Sequence, residues 1–291
     1  MIRVVAFDLD GTVLDNAGCA SDASMAAIGA LVNAGIGVAS ISGRSVGNSL
    51  APFGGVPELV SAMYIGSYNG AVVLGAGGDG ARRLLLEERL PEDAFLQVLE
   101  YIEAEGHNFV YCRCKMQNGG VDEAYMTDRE SASVEGLRAL GVRFVVDANL
   151  ASRVRGAGGG PPPKLIVMPG LPRRDAVLKE MRDLLGERVY LARTGEDRLE
   201  IMSRGVNKGA ALQAICEACG ASMTEALAIG DGDNDLPMLK AAGIGMLMEN
   251  ADDQTKSEAE DSGIRLVPPV QSDGFVGALS SVGLGAGTGT G

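Results

Sequence analysis

The sequence predicts an α/β fold: a doubly wound, parallel-sheet, Rossmann-like core with an α+β domain inserted into it. Three observations predict it. Short apolar runs alternate with helical stretches at both ends of the 291-residue chain. Polar residues gather where those runs stop, as in open parallel sheets whose ligands lie beyond the carboxyl ends of the strands. Between Ala71 and Asn207 the rhythm changes, and strand pairs mixed with helices replace simple crossovers.

Ile2 to Phe7 is apolar and β-branched, a buried strand that opens into a loop at Asp8, Asp10 and Gly11. Ala23 to Asn33 reads as a helix stopped at Gly35. Ile36 to Ile41 is the next strand, ending at Ser42-Gly43-Arg44, and Met63 to Ile65 a third, ending near Asn69-Gly70. Ala71 to Leu74 and Arg83 to Arg89 flank the glycine-rich stretch Gly75 to Gly80 and read as a hairpin. The inserted section then carries helices at Glu92 to Glu105, Ser131 to Leu140 and Arg173 to Leu185. Its strands are expected at Asn108 to Cys114, Val142 to Val146, Lys164 to Met168, Arg188 to Ala192 and Arg198 to Met202. Parallel rhythm resumes with a helix at Lys208 to Cys219 and a strand at Ala226 to Ile229, which runs into Gly230-Asp231-Gly232-Asp233-Asn234-Asp235. A helix at Pro237 to Ala242, a strand at Ile244 to Met248 and a helix at Asp252 to Glu260 follow. The expected division is 1–82 with 204–282 for the core and 83–203 for the insert. Residues 283–291 contain only Gly, Ala, Thr and Leu, too little to bury a core, and are expected to be a disordered tail.

Charge narrows the function. With 25 Lys and Arg against 38 Asp and Glu the net charge is 25 − 38 = −13, a poor match for nucleic acid or an anionic membrane. No apolar run approaches the roughly 18 residues of a membrane helix, and the expected location is cytoplasmic. Five cysteines, an odd number without framework spacing, suit reduced thiols. Cys216 and Cys219 form a lone CxxC one helical turn apart and read as buried or idle thiols. Cys112 and Cys114 share one strand face and read as packing.

Two carboxylates as close as Asp8 and Asp10 repel unless a cation or proton lies between them, which makes the pair a candidate hard-metal site. Asp231, Asp233 and Asp235 end a second parallel strand. An EF-hand is excluded, since Leu236 stands where its loop needs Gly and Ala242 where it needs Glu. Two acidic clusters at one sheet edge suit Mg²⁺, which takes few protein carboxylates together with phosphate and water. A phosphate ester is the substrate so implied. Ser42, the Gly43 amide and Lys208 can serve its oxygens.

FDLDGT, ISGR, the Lys208 of GVNKG, GDGDND and ENA, in this order, resemble the haloacid dehalogenase superfamily, and the inserted section resembles its Cof-type phosphatases with a large α/β cap. The resemblance spans Asp8 to Asn250 and extends to Asp273-Gly274. It implies that Asp8 is the nucleophile forming an aspartyl phosphate and Asp10 the acid and base. It implies Mg²⁺ on the Asp8 carboxylate, the Asp10 carbonyl and Asp231. Phosphate would be held by the Leu9 amide, Ser42, Gly43, Lys208 and Asn234, with Asp235 orienting Lys208. Asp233 reads as a solvated turn residue, and Arg44 either reaches substrate or braces its loop. The single histidine, His107, falls in the insert and reads as packing or surface, which leaves an all-aspartate mechanism. The expected partner is a small phosphorylated metabolite, sugar phosphates first, selected by insert loops such as Arg113 to Gly120 and Gly156 to Pro163. A phosphomutase and a non-catalytic phosphometabolite-binding protein are the alternatives. They differ in whether water, a sugar hydroxyl or nothing accepts the phosphoryl group.

Overall fold

Each apolar run near the amino terminus becomes a strand buried on both faces. β1 (Val4–Phe7), β2 (Gly37–Ile41) and β3 (Tyr64–Ser67) alternate with helices at Asp22–Asn33, Val46–Leu50 and Pro57–Ala62. β4 (Val72–Leu74) and β5 (Leu84–Glu87) complete this half. The insert supplies β6 (Asn108–Gln117), β7 (Gly120–Thr127), β8 (Phe144–Val146), β9 (Lys164–Met168), β10 (Val189–Thr194) and β11 (Arg198–Ser203). After it come β12 (Ala226–Gly230), β13 (Ile244–Met248) and β14 (Arg265–Val267). The computed structural model describes residues 1–78, 81–117, 119–139, 141–156 and 159–285. The chain divides into two units, Met1–Leu86 with Asn207–Gly291, and Glu87–Val206. Leu84–Glu87 belongs to the first sheet, so the first of these breaks falls after 86 rather than after 82.

In the first unit the described strands run in the order β14-β13-β12-β1-β2-β3-β4-β5. From β14 to β3 neighbours are parallel, and β4 turns back antiparallel on β3. The fold class expected from the sequence is the one observed. The chain leaves β1 toward β2 on one side and returns to β12 on the other, and a crevice opens between strand ends at such a reversal. Phe7 is in register with Ile229, so Asp8 leaves β1 level with Gly230, one residue before Asp231. Val4, Ala6, Ala39, Ala228 and Leu247 pack on one face against Leu212, Ile215 and Leu239 of the covering helices.

The second unit has its own sheet, in the order β10-β11-β9-β6-β7-β8 among the described strands, antiparallel except where β8 joins β7. Phe95, Val98, Leu99 and Ile102, at helical spacing on Glu92–Glu105, pack with Val177, Leu178 and Met181 of Arg174–Leu185 over Phe109, Tyr111, Leu165, Val167 and Ile201 of the sheet.

Several expectations are corrected. Arg113 to Gly120 is not a loop: β6 runs on to Gln117, and β7 returns from Gly120. Its polar residues alternate with Cys112, Cys114 and Met116, and Arg113 pairs with Asp122 at 2.9 Å, which makes it a half-solvated hairpin. Helices at Val46–Leu50, Pro57–Ala62, Leu150–Arg155 and Gly274–Ser281, and strand β14, escaped the sequence reading because each is short or weakly periodic. Gly283 and Leu284 donate to Ser280 and Leu279 carbonyls and close the last helix, whereas the rest of the expected disordered tail, from 286, lies outside the described residues. Of the expected loop Gly156 to Pro163, residues 157 and 158 lie outside them too. Among the described residues no helix is long and apolar enough to cross a membrane.

Candidate active site

The carboxyl edge of β1 and β12 gathers charge in a small volume. Lys208, the first residue of helix Lys208–Ala218, donates to Asp8 Oδ1 at 2.6 Å and to Asp235 Oδ1 at 2.7 Å. The helix is started by Asn207, whose side chain accepts from the Ala210 amide at 2.9 Å. A lysine at a helix start opposes the dipole; here two carboxylates hold it, and its side chain is 1% exposed. The other oxygen of Asp235 accepts from the Asp231 and Gly232 amides, both at 2.9 Å, so this carboxylate ties the loop after β12 to the lysine. Asp231 accepts from Thr12 Oγ1 at 3.2 Å and from Asn250 Nδ2 at 3.0 Å. Gly11, with φ +82°, passes so near Asp231 that a Cβ would collide with its carboxylate.

Oxygens of Asp8, Asp231 and Asp235 lie within 4.8 Å of one another. Burial pushes the Asp8 carboxyl up to about 7 against the pull of Lys208, and Asp235 and Asp231 push the same way. Burial and Asp235 lift Asp231 to about 6, with Thr12 and Lys208 opposing. Burial works against the Lys208 ammonium too, but Asp235 and Asp8 outweigh it and its pKa rises. Lys208 is thus a cation throughout neutral pH, and the carboxylates around it are short of positive charge. Such a hard-oxygen donor set suits Mg²⁺. Asp235 is fully buried and already accepts from the Lys208 ammonium and two backbone amides, whereas among the described hydrogen bonds Asp231 accepts one side-chain donor on each oxygen and Asp8 accepts from Lys208 alone, so Asp8 and Asp231 keep the most acceptor capacity for the ion.

On the neighbouring strand ends, Ser42 is buried at the end of β2, its amide donating to Gly66 O at 2.8 Å, while its hydroxyl accepts from the Arg44 amide at 3.3 Å. Asn234 Nδ2 donates to Asn69 Oδ1 at 3.1 Å, and Gly43 lies beside the same Asn69. Leu9 is fully buried and its carbonyl accepts from the amides of Thr12, Val13 and Leu14, which turns the chain out of β1. Asp10 is exposed and gripped by Arg44, Nε to Oδ2 at 2.8 Å with Nη2 on the other oxygen. Arg44 Nη1 also donates to Asn48 O at 3.3 Å.

The sequence reading passed over three residues here. Thr12 and Asn250 hold Asp231, and Asn250 also reaches Gly11 O at 2.9 Å; Asn69 holds Asn234. Their signals were the Gly-Thr step after Asp10, the ENA triplet and the Asn-Gly pair, none of which names a partner. Asp233 is exposed, and its side chain accepts from the Asn234 amide while its carbonyl accepts from the Leu236 amide, as a turn residue does. His107 is buried beside Tyr101 in the second unit, a packing residue. Burial raises the thiols of Cys112 and Cys114 to about 12 and that of Cys216 to about 11, so these cysteines are poor nucleophiles.

Comparison with known proteins gives the family. Residues 5–265 match the haloacid dehalogenase-like hydrolases. A relative from Haemophilus influenzae, named as a candidate phosphatase, is 27% identical over 256 residues, covering 87% of this chain and 88% of its own. HMP-PP phosphatase of Citrobacter koseri is 40% identical over 79 residues, which is 27% of this chain and 29% of the relative. The crystal structure of a haloacid dehalogenase-like hydrolase from Bacteroides thetaiotaomicron superposes with a TM-score of 0.80 at 21% identity, over 97% of this chain and 100% of the other. The chain belongs to the haloacid dehalogenase-like hydrolases. Within that class the two sequence relatives just named are described as phosphatases.

Proposed function

We propose that the protein is a Mg²⁺-dependent phosphatase of small phosphorylated metabolites, sugar phosphates first, working through an aspartyl phosphate on Asp8. The observation that carries this reading is the buried Lys208 ammonium between Asp8 and Asp235, with Asp231 inside the same 4.8 Å cluster. A nucleophilic carboxylate needs a fixed orientation and a neighbouring positive charge to approach a phosphate dianion. Lys208 supplies both.

Asp8 attacks phosphorus, forming an oxygen–phosphorus bond as the ester bond breaks, and Asp10 delivers its proton to the departing oxygen. Asp10 then takes a proton from the water that hydrolyses the acyl phosphate, which restores Asp8 and frees inorganic phosphate. Ser42, Gly43, the Leu9 amide, Asn234 and Lys208 bind the phosphoryl oxygens, and Asp235 orients Lys208. The Asp8 carboxylate, the Asp10 carbonyl and Asp231 would hold Mg²⁺, which when bound offsets the negative charge shared by carboxylates and phosphate. Arg44, which donates to both Asp10 oxygens, holds the ionised carboxylate in place and gives up one of the two contacts whenever Asp10 carries the proton. A solved structure of the same fold is described as a sugar phosphatase, and relatives matched over 79 residues are named HMP-PP phosphatases, so these two substrate types head the list to try.

Phosphate release from a panel of sugar phosphates, HMP-PP and a small aryl phosphate tests the reading. Release should vanish on chelation and return with Mg²⁺. Full activity in chelator would overturn the metal assignment, and transfer between sugar positions without net phosphate release would replace the phosphatase by a mutase.

A further inference from the structure

Between β3 and β4 the backbone does something unusual. Tyr68 and Asn69 both adopt left-handed conformations, with φ 52° and 58°, and Gly70 follows at 97°. Asparagine tolerates this region, but a buried tyrosine does not do so readily, and strain of this kind persists where the surroundings dictate it. They do so here. The Tyr68 amide donates to Arg44 O and the Asn69 amide to Ser42 O, both at 2.9 Å. Gly70 lies so close to the start of the Lys208 helix that a Cβ would stand 2.7 Å from Asn207 O. The turn is therefore clamped between the loop after β2 and the helix that carries Lys208.

The result is one carboxamide set among three groups assigned to phosphate. Asn69 is 8% exposed. Its backbone meets Ser42, its Oδ1 accepts from Asn234 Nδ2 at 3.1 Å, and a Cβ on Gly43 would lie 3.2 Å from that same Oδ1. A carboxamide can present either its oxygen or its nitrogen. Phosphate oxygens accept hydrogen bonds, so a carboxamide that binds them must present nitrogen. A neighbour that accepts from Nδ2 fixes the nitrogen as the donor end, and Asn69 Oδ1 is such a neighbour. We infer that Asn69 is a positioning residue for phosphate binding, acting through Asn234 and holding its nitrogen as a donor. This rests on the reading of Ser42, Gly43 and Asn234 as phosphate ligands given above, and the strained turn is the device that delivers the side chain.

Inorganic phosphate, as an inhibitor of aryl phosphate turnover by the full chain with Mg²⁺, is the probe. Asn69→Gly keeps the left-handed backbone without strain and removes only the carboxamide. Its melting temperature should fall only slightly, from the lost hydrogen bond and the added chain entropy, while the inhibition constant for phosphate rises about tenfold, as loss of one such hydrogen bond implies. Asn69→Ala should melt lower yet show the same inhibition constant, which separates the side chain from the backbone. Asn234→Ala should weaken phosphate similarly, and the double variant Asn69→Gly/Asn234→Ala should be no worse than Asn234→Ala alone. Additive losses, or an unchanged constant in Asn69→Gly beside a raised one in Asn234→Ala, would overturn the inference while leaving the phosphate ligands standing. If neither Asn234→Ala nor Lys208→Ala moved the constant, the ligand reading would fall and this inference with it.

Discussion

Lys208 in the first unit and Lys164 in the second are both buried, yet they sit in opposite electrostatic settings. Lys164, on β9 in register with Cys112, meets the Glu200 carboxylate at 2.8 Å, a plus against a minus on an antiparallel sheet. Lys208 bonds two carboxylates at the open edge of a parallel sheet with a third inside the same cluster, so negative charge is in excess there. Burial opposes both ammonium groups, and in both the carboxylates more than offset it. The contrast shows what separates a site from a scaffold. A balanced buried pair can be exchanged for apolar side chains at little cost, whereas an unbalanced cluster stays unfavourable until a ligand completes it.

The sharpest way to test the contrast is to remove the attacking charge. Asp8→Asn should cut turnover about 10⁴-fold while the fold persists, measured as single-turnover phosphate release. Substantial residual turnover would argue for direct attack by water.

Exchanging the two lysines is the next test. Lys208→Met should lower turnover of every substrate by about 10²–10³. Lys164→Met should instead cost stability, about 3–5 kcal/mol for a broken buried pair, and Glu200→Leu added to it should restore most of that. Aryl phosphate turnover per folded molecule should stay within a few-fold of the wild type. A loss as deep as that of Lys208→Met would erase the distinction between the lysines.

The smallest expected effect is on stability against pH. In the fold Asp8 titrates near 7 and Asp231 near 6, against 3.8 for an ordinary aspartate. Between about pH 4 and 7 the metal-free fold holds protons that the unfolded chain has released, so its stability falls as pH rises through that window and stays reduced above it. Mg²⁺ competes with those protons. The rise in melting temperature on adding it should therefore be small at pH 5 and larger at pH 8, and an equal rise at both would uncouple these carboxylates from the metal.

The strand exits were legible because their signals are local. An apolar β-branched run ending in Asp8-Leu9-Asp10-Gly11, or in Gly230-Asp231, states both a buried strand and its polar mouth within a few residues. The β6–β7 hairpin was hidden for the opposite reason: its half-solvated strands alternate charged and apolar residues, and Asp122 and Glu123 at the start of β7 resemble a loop. The short helices between β2 and β3 carry too few turns to show a period.

By itself the sequence determined the parallel core, the inserted section and the residue types at each strand end, since hydrophobic period and turn chemistry act over neighbours in the chain. Partnership was decided only in three dimensions. Lys208 and Asp8 are 200 residues apart, Asn234 and Asn69 165, Thr12 and Asp231 219, and Asn250 and Gly11 239. Whether such pairs bond depends on strand register and on helix packing to within a few tenths of an ångström. So it took the fold to hand Arg44 to Asp10, to engage both oxygens of Asp235, and to set Asn69 among the groups assigned to phosphate.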